Sequence, residues 1–220
     1  MKARESRRAR QQPTPLSAQR ARSCELHVRR MRTAEANQLF YCLRRTPFGP
    51  VAVVWSAHRE LPRIYRVLLS KPRLSAKRRV QTFLPDARRS SCPEIDLVAD
   101  RIQAFLTGED IRFSLDIAHL DLCSQFQQKV LRAEHGIPRG SVSTYQRIAK
   151  YLGNRNGARA VGTALATNPF PIIIPCHRAI RSDGTLGGYQ GGLGMKQTLL
   201  KMEGIFFEAS GRIVTEELFY

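Results

Sequence analysis

The chain has 220 residues, 42% of them apolar, enough for one or two domains with hydrophobic cores. Lys and Arg number 36 against 18 acidic residues, a formal charge of +18, which selects a polyanion, by default nucleic acid, as partner. No apolar run approaches the roughly 20 residues of a spanning helix, and the charged N-terminus lacks the apolar stretch of a secretory signal.

A soluble intracellular protein is therefore expected, cytoplasmic and nucleoid-associated in a prokaryote or nuclear in a eukaryote, with no membrane partner. The five cysteines, Cys24, Cys42, Cys92, Cys123 and Cys176, include no CxxC pair. Neither a zinc knuckle nor a thioredoxin-type site is suggested, and most should be inert packing thiols.

Residues 1–34 hold ten Lys/Arg and two Glu, with no aromatic residue. Such a segment buries too little apolar surface to offset its ordering entropy, so 1–35 reads as a disordered basic arm. It either adds sequence-independent affinity for phosphates or is a solubilising extension; an Arg-rich organelle transit peptide is a third reading. An N-terminal α/β domain is expected over 36–115. Leu39 to Trp55 reads as two strands around a turn at Arg45–Pro50, where Pro47 and Gly49 supply the turn chemistry. Ile64 to Leu69 is a further candidate strand. Lys71 to Ser91 is basic and reads as irregular. Pro93 to Leu106 carries Ile95, Val98, Ile102 and Phe105 at helical spacing, with Gly108 as a stop.

A mostly helical C-terminal domain is expected over 116–208, followed by a tail over 209–220. Phe126, Val130 and Leu131 fall on one face of a helix over Gln125–His135. Ser143-Thr144 can cap a helix from Tyr145 to Leu152. After the turn at Gly153–Gly157, a second helix spans Ala158 to Ala166. Two short helices around a glycine-containing turn suggest a helix-turn-helix. From Ser141 to Met202 there are eight Lys/Arg and one acid, Asp183. Arg155 and Arg159 stand at the turn and the start of the second helix, where DNA-reading side chains of such units sit. The fold class is thus α+β, a small N-terminal α/β domain and a mostly helical C-terminal domain with a helix-turn-helix.

The stretch Asn168 to Ile180 reads NPFPIIIPCHRAI. Three isoleucines bracketed by Pro171 and Pro175 read as a short buried strand, with Cys176-His177-Arg178 emerging at its end. A thiol reacts as its thiolate, and adjacent positive charge or an imidazole base supplies that form. Neighbours on an extended chain point to opposite faces, so proton relay from Cys176 to His177 needs a water or a local turn. Glu203 is the carboxylate that could orient the base. A Cys–His metal pair and a cysteine hydrolase are the rival readings. Downstream, GTLGGYQGGL (Gly184–Leu193) is a glycine-rich loop around Tyr189, an aromatic that could stack on a flipped base. A closing helix is expected over Lys196–Gly204.

FQQKV, IPRGSVSTYQRIA, GNRNGARAVGTAL, NPFPIIIPCHR and LGGYQGGLGMKQTLLKMEG, between Phe126 and Gly204, together resemble the O6-alkylguanine-DNA alkyltransferase (methylated-DNA–protein-cysteine methyltransferase) family. TPFGPVAVVW resembles it loosely in the N-terminal half. The resemblance implies irreversible transfer of an alkyl group from O6-alkylguanine, and also from O4-alkylthymine, in duplex DNA to Cys176, by a monomer, with the base flipped and one turnover per molecule. His177 would activate Cys176 through a water and Glu203 would hold His177. Tyr145 would bond the guanine ring and press on the phosphate backbone, and Asn168 would support the active-site turn. DNA contacts would come from Arg159, filling the gap of the extruded base, and from Arg155, Ala158, Arg178 and Tyr145. Tyr189, Gly187, Gln190 and Pro171 would form the pocket. The helix-turn-helix would enter the minor groove. Leu131 stands where the family commonly has Trp, and Gln190 where Ser is frequent. Some relatives bind zinc in the N-terminal domain, but the spacing of Cys24, His27 and Cys42 does not fit, so no metal and no cofactor are expected.

Overall fold

The structure, a computed structural model, describes residues 38–58, 61–215 and 218–220. The expected basic arm, with Cys24 and His27, lies outside the described residues.

Three strands open the fold: β1 (Leu39–Arg44), β2 (Val51–His58) and β3 (Leu61–Leu68). The turn between β1 and β2 closes through Gly49 N–H to the Thr46 carbonyl at 3.0 Å, with Gly49 at φ 86°, where a side chain would be strained. After α1 (Ala76–Phe83), the two-residue β4 (Arg88–Arg89) returns beside β1. The sheet order is β3-β2-β1-β4, with β1 antiparallel to β2 and parallel to β4. The segment Lys71–Ser91, expected to be irregular, thus contains a helix and a short strand. Its helical signal is faint because α1 buries only Ala76, Arg79 and Val80 beneath a basic exposed face.

Val51 to Trp55 is buried throughout because both sheet faces are covered. Val51, Val53 and Trp55 face the main core, while Ala52 and Val54 face α1. A strand covered on both faces reads as a continuous apolar run. The main core side is packed by α2 (Pro93–Leu106), which has Pro93 in its first turn and Glu94 and Asp96 near the positive end of its dipole. It buries Ile95, Ala99, Ile102, Phe105 and Leu106.

The second half contains α3 (Gln125–Gly136), the short β5 (Ser143–Thr144), α4 (Tyr145–Tyr151), α5 (Ala158–Ala166), β6 (Ala179–Ile180), α6 (Leu193–Met202) and the terminal pair β7 (Phe206–Phe207) and β8 (Ile213–Val214). Thr144 caps α4 by accepting from the Arg147 N–H at 3.1 Å. Residues 218–220 dock back on this half: Tyr220 donates its hydroxyl to the Ala133 carbonyl at 2.7 Å and stacks on Tyr151.

One hydrophobic cluster runs from Phe40 and Trp55 through α2 to Phe170, Cys176 and Leu199, so the two halves share a core. Among the described residues the outer edge of β3 carries no further strand of its sheet. Its backbone bonds the chain entering the second half, Ile64 N–H to Ile117 O at 2.7 Å and His119 N–H to Ile64 O at 3.0 Å. It also bonds the Asn168–Phe170 segment, through Val67 N–H to Pro169 O at 2.8 Å. An otherwise open sheet edge is thereby covered and tied to the segment that carries Cys176.

Candidate active site

The expected strand over the three isoleucines is a turn. Ile174 N–H bonds Phe170 O at 2.9 Å, and Ile172 sits at φ 77°, an unusual conformation for a β-branched residue. All three isoleucines are buried. The apolar run records burial, which a periodicity argument cannot distinguish from strand pairing. Asn168, itself fully buried, holds the turn from inside. Its Oδ1 accepts from Phe170 N–H at 2.9 Å and its Nδ2 donates to Ile174 O at 3.2 Å. Cys176 N–H also bonds Ile174 O, at 2.8 Å.

Cys176, His177 and Arg178 form a single 3-10 turn, not an extended end. Cys176 lies at the floor of a cavity of about 210 Å³. Its walls are Tyr145 of α4, Gly162, Leu165 and Ala166 of α5, and Gly187 to Gln190 of the glycine-rich loop, with Arg181 beside them. Gly187 lies so close to Tyr145 that a Cβ there would fall 2.0 Å from the phenol oxygen. One wall of the slot is therefore main chain against a phenol, and any side chain at 187 would displace Tyr145.

Behind Cys176 lies a buried charge system. His177 Nε2 is 2.9 Å from Glu203 Oε1. Arg178 donates to both oxygens of Glu203, Nε to Oε2 at 2.9 Å and Nη2 to Oε1 at 2.7 Å, and its Nη1 donates to the Ile137 carbonyl at 2.6 Å. Burial alone would raise the Glu203 pKa, but hydrogen bonds from His177 and Arg178 outweigh it and leave it at about 2. Burial pulls His177 below its ordinary value, offset in part by Glu203. A neutral imidazole facing an anionic carboxylate carries its proton on Nε2. The Nδ1 is buried with no partner among the described residues, so it is the basic nitrogen.

Burial pushes the Cys176 thiol up to about 12, against a hydrogen bond from Asn168 and the charge of Lys196. The resting group is a thiol, which must lose its proton to a base as it attacks. Burial, with the nearby Glu134 and Cys176, raises Tyr145 to about 12, so the phenol stays a donor at neutral pH. Lys196 is fully buried and donates from Nζ to Ala179 O at 2.5 Å. Glu134, equally buried, has no side-chain hydrogen-bond partner among the described residues, its one favourable backbone neighbour being the Ala179 amide. Burial raises its pKa to about 8, against the charges of Lys196 and Arg178.

A family model described as the DNA binding domain of 6-O-methylguanine DNA methyltransferase matches residues 125–205, the stretch that builds this cavity. The methylated-DNA--protein-cysteine methyltransferase of Methanosarcina acetivorans is 32% identical over 166 residues, covering 76% of this chain and 99% of that protein. The chain belongs to the methylated-DNA–protein-cysteine methyltransferase family. The enzyme of that name from Methanothermobacter thermautotrophicus is 45% identical over 114 residues, 52% of this chain and 64% of its own length. The match to this relative thus spans just under two thirds of it. The crystal structure of Mycobacterium tuberculosis OGT in complex with DNA superposes with a TM-score of 0.58 at 30% identity, covering 74% of this chain and 92% of that one. The α+β fold is common to both.

Most residues singled out from the sequence converge. Cys176, Tyr145, Gly187, Tyr189 and Gln190 line one cavity. His177, Glu203 and Asn168 support it from behind. Gln190 donates its amide to the Asn168 carbonyl, which ties the loop to the turn. The Tyr189 ring meets His177 edge-on at 6.2 Å. Arg155 and Arg159 are exposed on the turn and the first residues of α5, and Ala158 is half-buried beside them. Two assignments need correction. Arg178, expected on DNA, is buried and committed to Glu203 and Ile137, because the carboxylate behind His177 needs a counter-charge. Pro171, expected in the pocket, is buried in the isoleucine turn and is not among the cavity-lining residues. Sequence reading missed Gly162, Arg181, Glu134 and Lys196. Gly162 sat within a helix already read for its charges, and the buried pair had no spacing signature. Among the described residues no helix is long and apolar enough to cross a membrane.

Proposed function

We propose that this protein repairs alkylated DNA by moving an alkyl group from O6 of guanine onto Cys176, once per molecule. The observation that carries the reading is the buried thiol at the floor of a slot walled by α5, Tyr145 and the glycine-rich loop, backed by His177 and Glu203. The slot lies beneath a helix-turn-helix, so duplex DNA across α5 would present a flipped nucleotide to it. The reacting carbon is inside a base pair until the nucleotide is extruded, and Arg159 at the head of α5 would fill the gap.

The thiol proton passes through a water to Nδ1 of His177, and Glu203 stabilises the imidazolium. The sulfur then attacks the alkyl carbon and displaces the guanine O6. The C–S bond forms, the C–O6 bond breaks, and the electron pair returns to the guanine ring. Tyr145, still protonated, donates a hydrogen bond to the ring nitrogen and eases departure. The thioether contains no labile bond, so the site is not regenerated. O4-alkylthymine presents an equivalent exocyclic alkoxy carbon and is a second substrate.

The test is intact mass after incubation with duplex DNA containing O6-methylguanine, and separately O4-methylthymine. A gain of one methyl group, absent in Cys176→Ala, is expected. Tight binding with unchanged mass would identify a lesion-binding protein instead and end this reading.

A further inference from the structure

The basic segment after β3 is not absorbed by the site described. Between Ser70 and Ser91 there are seven Lys/Arg and one acid, Asp86. Arg79 is buried and bonds the Leu69 carbonyl. Lys71, Arg73, Lys77 and Arg78 are exposed, and none forms an ion pair among the described residues. A merely solvated face would mix both signs. Lys71, Arg73 and Arg78 line an open groove of about 400 Å³ together with Ser70 and Ser75.

Two further observations bear on this groove. Lys71 to Leu74 is a tight turn closed in both directions, Lys71 N–H to Leu74 O at 2.9 Å and Leu74 N–H to Lys71 O at 3.0 Å. Pro72 takes its second position and Arg73, at φ 68°, its third. Glycine or asparagine is the usual occupant of that third position, so an arginine is kept there against its backbone preference. The turn also abuts the active-site loop, with Pro72 Cδ 3.8 Å from where a Cβ on Gly192 would lie. The cationic turn therefore borders Gly192, at the end of the glycine-rich loop that walls the Cys176 slot.

We propose that Lys71, Arg73 and Arg78 form a second phosphate-binding surface, contributed by the N-terminal half, which grips the backbone of the same duplex on the flank of the lesion. This rests on the alkyltransferase reading above for its partner. The contact is sequence-independent, since it reaches phosphates and no base edges. It lengthens the footprint on DNA beyond what the helix-turn-helix covers.

The test compares parental protein with Lys71→Gln/Arg73→Gln/Arg78→Gln on a duplex of about 24 base pairs containing O6-methylguanine. Three lost phosphate contacts reduce the salt slope of log K by about 2.7. Over a rise from about 50 to about 200 mM salt, the parental protein then loses about 40-fold more affinity than the variant. Arg45→Gln/Arg112→Gln/Arg132→Gln, which removes the same charge from other exposed positions, leaves the slope near parental. Equal slopes for the parental protein and the groove variant, or an equal fall in the control, would overturn the proposal. Arg73→Gly adds a readout that a structural role would not give: melting temperature rises as the turn relaxes, while DNA affinity falls. Methylation of Cys176 in the parental protein is followed in the same samples. If it fails, the alkyltransferase reading falls; if it proceeds with unchanged slopes, only the second surface does.

Discussion

At the residue scale, the site is governed by which buried groups have partners. Glu203 accepts hydrogen bonds from His177 and Arg178 and stays ionised; Glu134, on α3, feels the charges of Lys196 and Arg178 but forms no ion pair with either among the described residues. An unpartnered buried carboxylate is costly enough that the group keeps its proton instead. Its ordinary pKa of 4.5 moves to about 8 through burial. Between those values the folded chain holds a proton that the unfolded chain has released, so stability falls as pH rises through the window, by up to about 1.4 kcal/mol per unit. Lys196, lowered to about 8 by its own burial, has the opposite sign and acts above that pH. Glu134→Gln carries no titrating proton. Thermal denaturation at pH 5, 6.5 and 8 should show the variant gaining on the parental protein steadily, and parallel curves would refute the buried titration. Ionised Glu134 also opposes a thiolate at Cys176, so the same substitution should hold the rate of alkyl transfer up at higher pH.

At the element scale, the reactive cysteine is presented by a turn and not by a strand end. Asn168 supplies both a donor and an acceptor to that turn, and both partners are buried backbone groups. Asn168→Ala leaves Phe170 N–H and Ile174 O unsatisfied, which costs about 1–3 kcal/mol for each buried group. The expected outcome is a melting temperature lowered by several degrees together with a loss of alkyl transfer larger than the loss of DNA affinity. Unchanged transfer would show that the turn holds without it. Elements with complete signals were legible in the sequence: α2 runs where its periodicity, Pro93 and the Gly108 stop placed it, and α5 follows the turn that ends at Gly157. The isoleucine turn was not, because hydrophobicity reports burial whether or not hydrogen bonds run to a neighbouring strand. Helix α1 was hidden under its own lysines and arginines. The pairing of Arg178 with Glu203 was invisible because it joins residues 25 positions apart, so Arg178 was expected on DNA. Cys176, His177 and Glu203 were readable from their chemistry, and their role in alkyl transfer through resemblance; the contact of Gly187 with Tyr145 required coordinates.

At the scale of the whole molecule, residues 38–115 carry fourteen Lys/Arg against seven acids and residues 116–220 carry twelve against eight, so both halves are basic, and the two share one core. The N-terminal sheet is thus more than a companion to the catalytic half. Its β3 edge holds the active-site turn by one main-chain bond, Val67 N–H to Pro169 O. That amide faces away from its own sheet, so opening of the hairpin does not by itself release it; separation of the turn from the sheet does. Deuterium uptake at Val67 therefore clocks how often the cysteine-bearing segment parts from its scaffold. Uptake there should accelerate in Asn168→Ala while neighbouring amides bonded within the sheet keep their protection, and equal acceleration across β3 would mean that the sheet itself had come apart.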